Sequence, residues 1–136
     1  MTIFVLDSSA VLRYIDNEAG GDRVKEILKN CVRRQAAMRI SALQWGEVAG
    51  HLRKRLGNSE GKRALDSLLP FELEVIPATG ERAVRAAELR SDRRISYVDA
   101  FAVELATNSS DHVLVTADYD FNAVDDLVRV EFLPAK

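Results

Sequence analysis

Apolar and polar residues along the chain fall into two alternating patterns, which predict strands and helices in turn. Short apolar runs are typical of buried strands, and longer stretches with apolar residues every three or four positions are typical of amphipathic helices. The short runs predict five strands, the last of them at a sheet edge: residues 3–6, 38–41, 72–76, 112–116 and 128–133. The longer stretches predict six helices: residues 9–15, 22–34, 42–56, 60–69, 80–91 and 96–106.

Polar residues and a glycine mark the ends of several predicted helices. Ser8 or Ser9 is expected to cap the first helix, because a hydroxyl there accepts a hydrogen bond from a free backbone amide. Thr79 and Ser96 are expected to cap the last two helices in the same way. Gly57 is expected to end the third helix.

The alternation of strands and helices favours a single α/β domain spanning residues 1–136. Its sheet is expected to be mainly parallel, with right-handed crossovers and helices on both faces. Ligands of such sheets bind beyond the carboxyl ends of the strands. Functional side chains are therefore expected at that edge.

The composition is that of an ordinary globular domain. The 136 residues suffice for one core, and 47% of them are apolar and 29% charged. No apolar run approaches the length of a membrane span, and the N-terminus lacks the pattern of a secretion signal. Cys31 falls at helical spacing with apolar residues, which is typical of a buried thiol in a reducing compartment. We therefore expect a cytoplasmic protein with no membrane segment.

The charge is nearly balanced overall but unevenly distributed. A net charge of −2 excludes a protein that coats nucleic acid through bulk positive charge. Two basic clusters stand out, and residues 111–131 are strongly acidic. The clusters are either solvated helix surface or a basic rim beside an acidic pocket, where they would offset its repulsion of a polyanion. Their members are Arg53, Lys54 and Arg55, and Arg90, Arg93 and Arg94.

Carboxylates follow the predicted strands at the edge where ligands are expected. Asp7 comes directly after the first strand, and Asp118 and Asp120 come just after the fourth. Glu47 lies in the first turns of the helix after the second strand. Asp99 lies in the first turn of the last helix among apolar neighbours, where an acid is costly unless it is paired, hydrogen-bonded or bound to a metal.

Each acid taken alone also has a structural role open to it. Asp7 is able to cap the following helix, Asp118 to stabilise a turn, and Glu47 to lie on a helix surface. Asp99 fits a capping box in which it reaches back to Ser96. Taken together, acids from four segments at one edge need a compensating charge, and oxygen ligands suit Mg²⁺ or Mn²⁺. The pattern therefore suggests metal-assisted phosphoryl chemistry.

In the order and spacing of these acids the chain resembles the PIN-domain nucleases, and most closely the small VapC-type toxins of prokaryotic toxin–antitoxin pairs. The resemblance spans nearly the whole chain and is carried by four stretches: FVLDSSAVLRYI, SALQWGEVAGHL, SYVDAFAVELA and VLVTADYDF. It implies that Asp7, Glu47, Asp99 and Asp118 form a catalytic quartet that binds the metal. Asp120 is a second candidate beside Asp118.

The resemblance also implies a fold, an activity and partners. The sheet would have the strand order 3-2-1-4-5, which places Asp7 next to Asp118. The hydroxyls of Ser9 and Thr116 would support the acids. The activity would be endonucleolytic cleavage of RNA by a water molecule activated by Mg²⁺ or Mn²⁺. The family forms homodimers, and a cognate antitoxin protein inhibits it by inserting a segment beside the active site.

Two other classes of protein compete with this interpretation: a PIN-like domain without nuclease activity, and a phosphotransfer enzyme of another α/β class, either a haloacid-dehalogenase-like phosphatase or a receiver domain. A PIN-like domain that binds RNA or protein without nuclease activity would not need four costly acids. A haloacid-dehalogenase-like phosphatase has a second aspartate two residues after the first, where this chain has Ser9. A receiver domain needs an acid pair before its acceptor strand and a late lysine, and neither is evident.

The region around the third and fourth helices is richer in apolar residues than one helix face needs. The surplus predicts a patch that either joins two copies of the chain as a homodimer or receives an antitoxin segment. The residues concerned are Trp45, Leu52, Leu56, Leu65, Leu68, Leu69 and Phe71.

Overall fold

A computed structural model describes residues 1–107 and 109–136 of the chain. The chain forms a five-stranded sheet in the order β3-β2-β1-β4-β5, and every pair of neighbouring strands is parallel. This confirms the predicted α/β class and strand order. The strands are β1 (Thr2–Leu6), β2 (Ala36–Ser41), β3 (Glu74–Ile76), β4 (His112–Thr116) and β5 (Val130–Phe132).

Helices connect the strands and cover the sheet. They are α1 (Ser8–Ile15), α2 (Gly21–Val32), α3 (Ala42–Leu56), α4 (Asn58–Asp66), α5 (Gly80–Asp92) and α6 (Tyr97–Ala106). Two short 3-10 segments, Leu69–Phe71 and Tyr119–Val124, complete the architecture. In the part of the chain that the structure describes, no helix is both long and apolar enough to cross a membrane.

The core lies in two layers, because side chains alternate between the faces of each strand. Phe4 and Leu6 of β1 pack with residues of α1, α2 and α3 on one face. Val5 of β1 packs with residues of α6 and of the second 3-10 segment on the other. Cys31 is buried in the first layer, as predicted. The sheet is thus packed between helices on both faces. This packing fixes the positions of the residues that follow the carboxyl ends of the strands.

Several helix ends differ from the prediction. Asp7, and not Ser8 or Ser9, caps α1 by accepting a hydrogen bond from a backbone amide of the first turn. The fourth helix spans Asn58–Asp66 and not residues 60–69. Gly57, with φ of 86°, ends α3 and lets the next helix begin at once. Thr79 and Ser96 cap α5 and α6 as predicted.

The predicted apolar patch is smaller than its sequence suggests. Leu52 and Leu68 are buried within the chain, because α3 and α4 pack against each other and against the first core layer. Leu56 and Leu69 remain 42% and 69% exposed. The other three residues, Trp45, Leu65 and Phe71, are partly buried against the core.

Candidate active site

The strand register brings residues of β1 and β4 together at the carboxyl edge of the sheet. Leu6 is the register partner of Val115, so the next residues along, Asp7 and Thr116, lie side by side. The Thr116 hydroxyl donates a hydrogen bond of 2.5 Å to Oδ2 of Asp7. A hydrogen bond therefore joins the segment that carries Asp7 directly to the segment that carries Asp118 and Asp120.

Asp7 is the most deeply buried of the predicted acids, with 2% of its surface exposed. Its carboxylate accepts hydrogen bonds from the Ala10 amide (2.9 Å) and from the Ser9 hydroxyl (2.7 and 2.9 Å), besides that from Thr116. Burial raises the pKa of Asp7 to about 6, against the lowering effect of these hydrogen bonds, and the charge of Asp99 raises it further. Asp7 thus holds its proton more tightly than an ordinary aspartate does.

The two supporting hydroxyls have fixed orientations. Ser9 Oγ accepts a hydrogen bond from the Ala117 amide, and Thr116 Oγ1 accepts one from the Asp118 amide, both at 2.9 Å. Each hydroxyl therefore has its proton available to donate to Asp7. This arrangement links the backbone of the loop after β4 to the carboxylate after β1, as a supporting role for Ser9 and Thr116 requires.

The charges of neighbouring acids affect the pKa of Asp99. It is half-buried in the first turn of α6, and burial is the main cause of its raised pKa. The charges of Asp118 and Asp120 raise the pKa of Asp99 further, and that of Asp118 contributes more. Asp118 itself accepts a hydrogen bond from the Asp120 amide at 2.9 Å, which caps the 3-10 segment. Of these two candidates, Asp118 is the more strongly coupled to Asp99.

Glu47 lies at the same edge but on the outer surface of α3. Its carboxylate accepts a hydrogen bond of 3.1 Å from the Ser8 hydroxyl, one residue after Asp7. Its side chain is exposed, unlike that of Asp7. Glu47 therefore flanks the acids from the solvent side.

Gln44 belongs to this site although the sequence analysis did not select it. It is fully buried, its Oε1 accepts the Ser8 amide at 2.8 Å, and its Nε2 donates to Asp99 Oδ1 at 3.0 Å. It thereby ties the start of α1 to the start of α6. A signal was present, because Gln44 shares a buried stripe of α3 with Val48 and Leu52 at spacings of four residues.

The basic clusters divide into paired and unpaired residues. Arg55 forms an ion pair with Asp16. Arg93 forms a two-point ion pair with Asp126, with distances of 2.5 and 3.0 Å. Within residues 1–107 and 109–136, the remaining members have no carboxylate within 4.0 Å and are exposed: Arg53, Lys54, Arg90 and Arg94.

The chemistry of the acids suits a hard divalent cation. Their donors are all oxygen, which Mg²⁺ and Mn²⁺ prefer. Among the residues that the structure describes, no Lys, Arg or His nitrogen lies within 4.0 Å of any of these acids. Nor does that part of the chain contain a tight group of three or more Asp, Glu, His or Cys side chains already placed to hold an ion. The donor set fits, and side-chain rearrangement would be needed to close it around a metal.

Comparisons with known proteins agree with this fold. The family model for the PIN domain matches residues 4–127. The structure is similar to VapBC2 of Rickettsia felis bound to a DNA fragment from their promoter (TM-score 0.77, 20% identity, 98% of this chain and 100% of that chain). It is also similar to Mycobacterium tuberculosis VapC20, a toxin that cleaves the sarcin–ricin loop (TM-score 0.71, 22% identity, 98% and 100% covered). A comparison with curated proteins gave no match.

Proposed function

This chain belongs to the PIN-domain family, and from that membership we propose that it is a Mg²⁺- or Mn²⁺-dependent endoribonuclease, the toxin of a VapBC-like toxin–antitoxin pair. The observation that carries the proposal is the set of carboxylates at one sheet edge, without a cationic partner in the described residues. The charge of Asp99 raises the pKa of Asp7, and the charges of Asp118 and Asp120 raise the pKa of Asp99. A site that bound RNA without cutting it would gain nothing from this repulsion.

The proposed ligands of the ion are Asp7, Glu47, Asp99 and Asp118, with Asp120 beside them. A divalent ion bound there would offset the charge of the acids and of a phosphodiester, and would activate a water molecule for attack on phosphorus. Hydrogen bonds within the chain position two of the acids. The hydroxyls of Ser9 and Thr116 orient Asp7, and the amide of Gln44 orients Asp99.

The proposed partners are an RNA substrate, a cognate antitoxin and a second copy of the chain. The structural neighbours supply the toxin–antitoxin context, since one is VapBC2 of Rickettsia felis and another is the VapC20 toxin, which cleaves the sarcin–ricin loop. The exposed Leu56, at the end of α3, and Leu69, in the first 3-10 segment, are the proposed apolar contacts of a homodimer.

Cleavage of RNA by the purified protein tests the function. With Mg²⁺ or Mn²⁺, total cellular RNA is expected to yield discrete fragments, and EDTA is expected to stop the reaction until the metal is restored. RNA that is bound but left intact under all these conditions would instead identify a PIN-like binding domain without nuclease activity.

The unpaired basic residues are expected to contact the RNA backbone. Replacing Arg53 and Lys54 by alanine should weaken binding of a single-stranded RNA and reduce the slope of log K against log salt by about 1.4, which is the value for two phosphate contacts. The same change at Lys29 and Arg33 removes equal charge from exposed positions at the end of α2. Salt titrations that give the same slope for both double variants would show that the first pair is only solvated surface.

Gln44 is expected to affect metal binding indirectly, through its hydrogen bond to the carboxylate of Asp99. Replacing Gln44 by methionine keeps the volume of the side chain but removes its hydrogen bonds, including the one to Asp99, so affinity for Mn²⁺ should fall about 10- to 100-fold. Leu52→Met changes the same buried stripe two turns away and should leave the affinity unchanged. Calorimetric titration with Mn²⁺ measures both. Equal losses in the two variants would mean that Gln44 serves only the packing of α3.

A further inference from the structure

An exposed aromatic residue stands between two of the site's acids in the sequence. Tyr119 directly follows Asp118 and precedes Asp120, and 45% of its surface is exposed. Its ring is stacked on Phe132 of β5, with 5.2 Å between the ring centroids and 11° between the planes. Its hydroxyl donates a hydrogen bond of 2.8 Å to the carbonyl oxygen of Leu133. The ring is therefore held at both its face and its tip.

These contacts determine which part of the ring remains available. One face is covered by Phe132, and the polar tip is bound to the backbone. The exposed fraction of Tyr119 must therefore lie mainly on the second face and the ring edges. A large, flat, apolar surface is thus presented to solvent at a fixed orientation, which lowers the entropic cost of stacking a second planar group on it.

The charges around the ring select the kind of group it can receive. The adjacent carboxylates, Asp118 and Asp120, repel a phosphate group at this point. A neutral planar base meets no such repulsion, and every base offers a π-face to an aromatic ring. A base is accessible in this way only where the RNA is unpaired.

We propose that the free face of Tyr119 is a stacking site for an unpaired nucleobase next to the phosphodiester held at the acids. This inference rests on the proposed ribonuclease function and adds to it a residue that contacts a base of the unpaired RNA beside the acids. Tyr119 is then a residue that selects unpaired RNA and fixes its register relative to Asp118.

Fluorescence of 2-aminopurine tests the stacking without cleavage. A short single-stranded RNA, with 2-aminopurine replacing each adenine in turn, is titrated with the wild-type protein in EDTA at low salt. Stacking on Tyr119 should quench the probe strongly at one position and weakly elsewhere. Binding with no position-dependent quenching would overturn the inference without any variant. A wild-type protein that neither binds RNA here nor cleaves it with Mg²⁺ or Mn²⁺ would overturn the proposed function as well.

Two variants of Tyr119 distinguish the contribution of the aromatic ring from that of the hydroxyl. Tyr119→Phe keeps the ring and should retain both the quenching and the affinity. Tyr119→Leu removes the aromatic face and should lose the quenching and weaken binding about 5- to 100-fold, which is the range for one base–aromatic stack. A duplex of the same sequence should bind both variants equally.

Two outcomes would assign Tyr119 a different role while leaving the ribonuclease function standing. Equal affinity and quenching in Tyr119→Leu and the wild type would mean that no base stacks on the ring. Equal losses in Tyr119→Phe and Tyr119→Leu would mean that the residue acts through its bond to Leu133, as an anchor for the chain after β5. Either result would overturn the stacking site.

Discussion

Replacing Asp99 by asparagine is expected to lower the rate of RNA cleavage by at least about a hundredfold while leaving the fold intact. The charges of Asp118 and Asp120 raise the pKa of Asp99, and the charge of Asp99 raises the pKa of Asp7. Asp99 therefore interacts with three of the other site carboxylates. An amide has nearly the same shape but no charge, so it cannot contribute to binding a divalent ion in the same way. The fold should survive, because the cap of α6 uses the backbone amide of Asp99 and not its carboxylate.

Asp125→Asn is the matched control for this change. It removes one negative charge from an exposed acid that follows the second 3-10 segment. Single-turnover cleavage of a labelled RNA should be near the wild-type rate for this control and nearly absent for Asp99→Asn, with both variants melting near the wild-type temperature. Wild-type cleavage by folded Asp99→Asn would remove Asp99 from the active site.

Replacing Asp7 by asparagine is expected to stabilise the metal-free protein at neutral pH. Burial raises the pKa of Asp7 from 3.8 to about 6, so the folded state holds this proton more tightly than the unfolded state does. The free energy of unfolding of the wild type therefore falls as pH rises from about 4 to about 6. The difference between the pKa values corresponds to about 3 kcal/mol, which is an upper bound for the gain in the variant.

Urea unfolding in EDTA measures this effect across pH. Asp7→Asn should be more stable than the wild type at pH 7, and this component of the difference should vanish below about pH 4, where both states of the wild type are protonated. Added Mg²⁺ should stabilise the wild type more than the variant, because a bound ion favours the ionised carboxylate. A difference in stability that does not change with pH would show that burial of Asp7 carries no such cost.

Much of the fold was predictable from local sequence. The apolar runs that became β1 and β4 are short, buried on both faces and bounded by polar residues. The order of the strands was predictable only through the family resemblance, because it depends on contacts between distant segments. The start of α4 was missed because Gly57 adopts a left-handed φ that permits two helices to meet without a loop.

The candidate site was likewise predictable only in part, because it combines local patterns with contacts between distant segments. Acids at strand ends are visible in a sequence, since parallel strands share a carboxyl edge. Their supporting contacts join residues far apart in the chain, such as Gln44 with Asp99 and Thr116 with Asp7. No local pattern specifies such pairs. The same holds for Arg93, whose basic character was evident but whose partner Asp126 is supplied by tertiary structure.

Binding of Mn²⁺ to the metal-free protein, followed by electron paramagnetic resonance, tests the proposed metal site most directly. The free ion gives a strong signal that diminishes on binding, so stoichiometry and affinity are read without RNA. The wild type is expected to bind one or two ions per chain, and Asp99→Asn to bind them at least about tenfold more weakly. Absence of binding at millimolar Mn²⁺, or equal binding by the wild type and Asp99→Asn, would contradict a metal site at the carboxyl edge of the sheet.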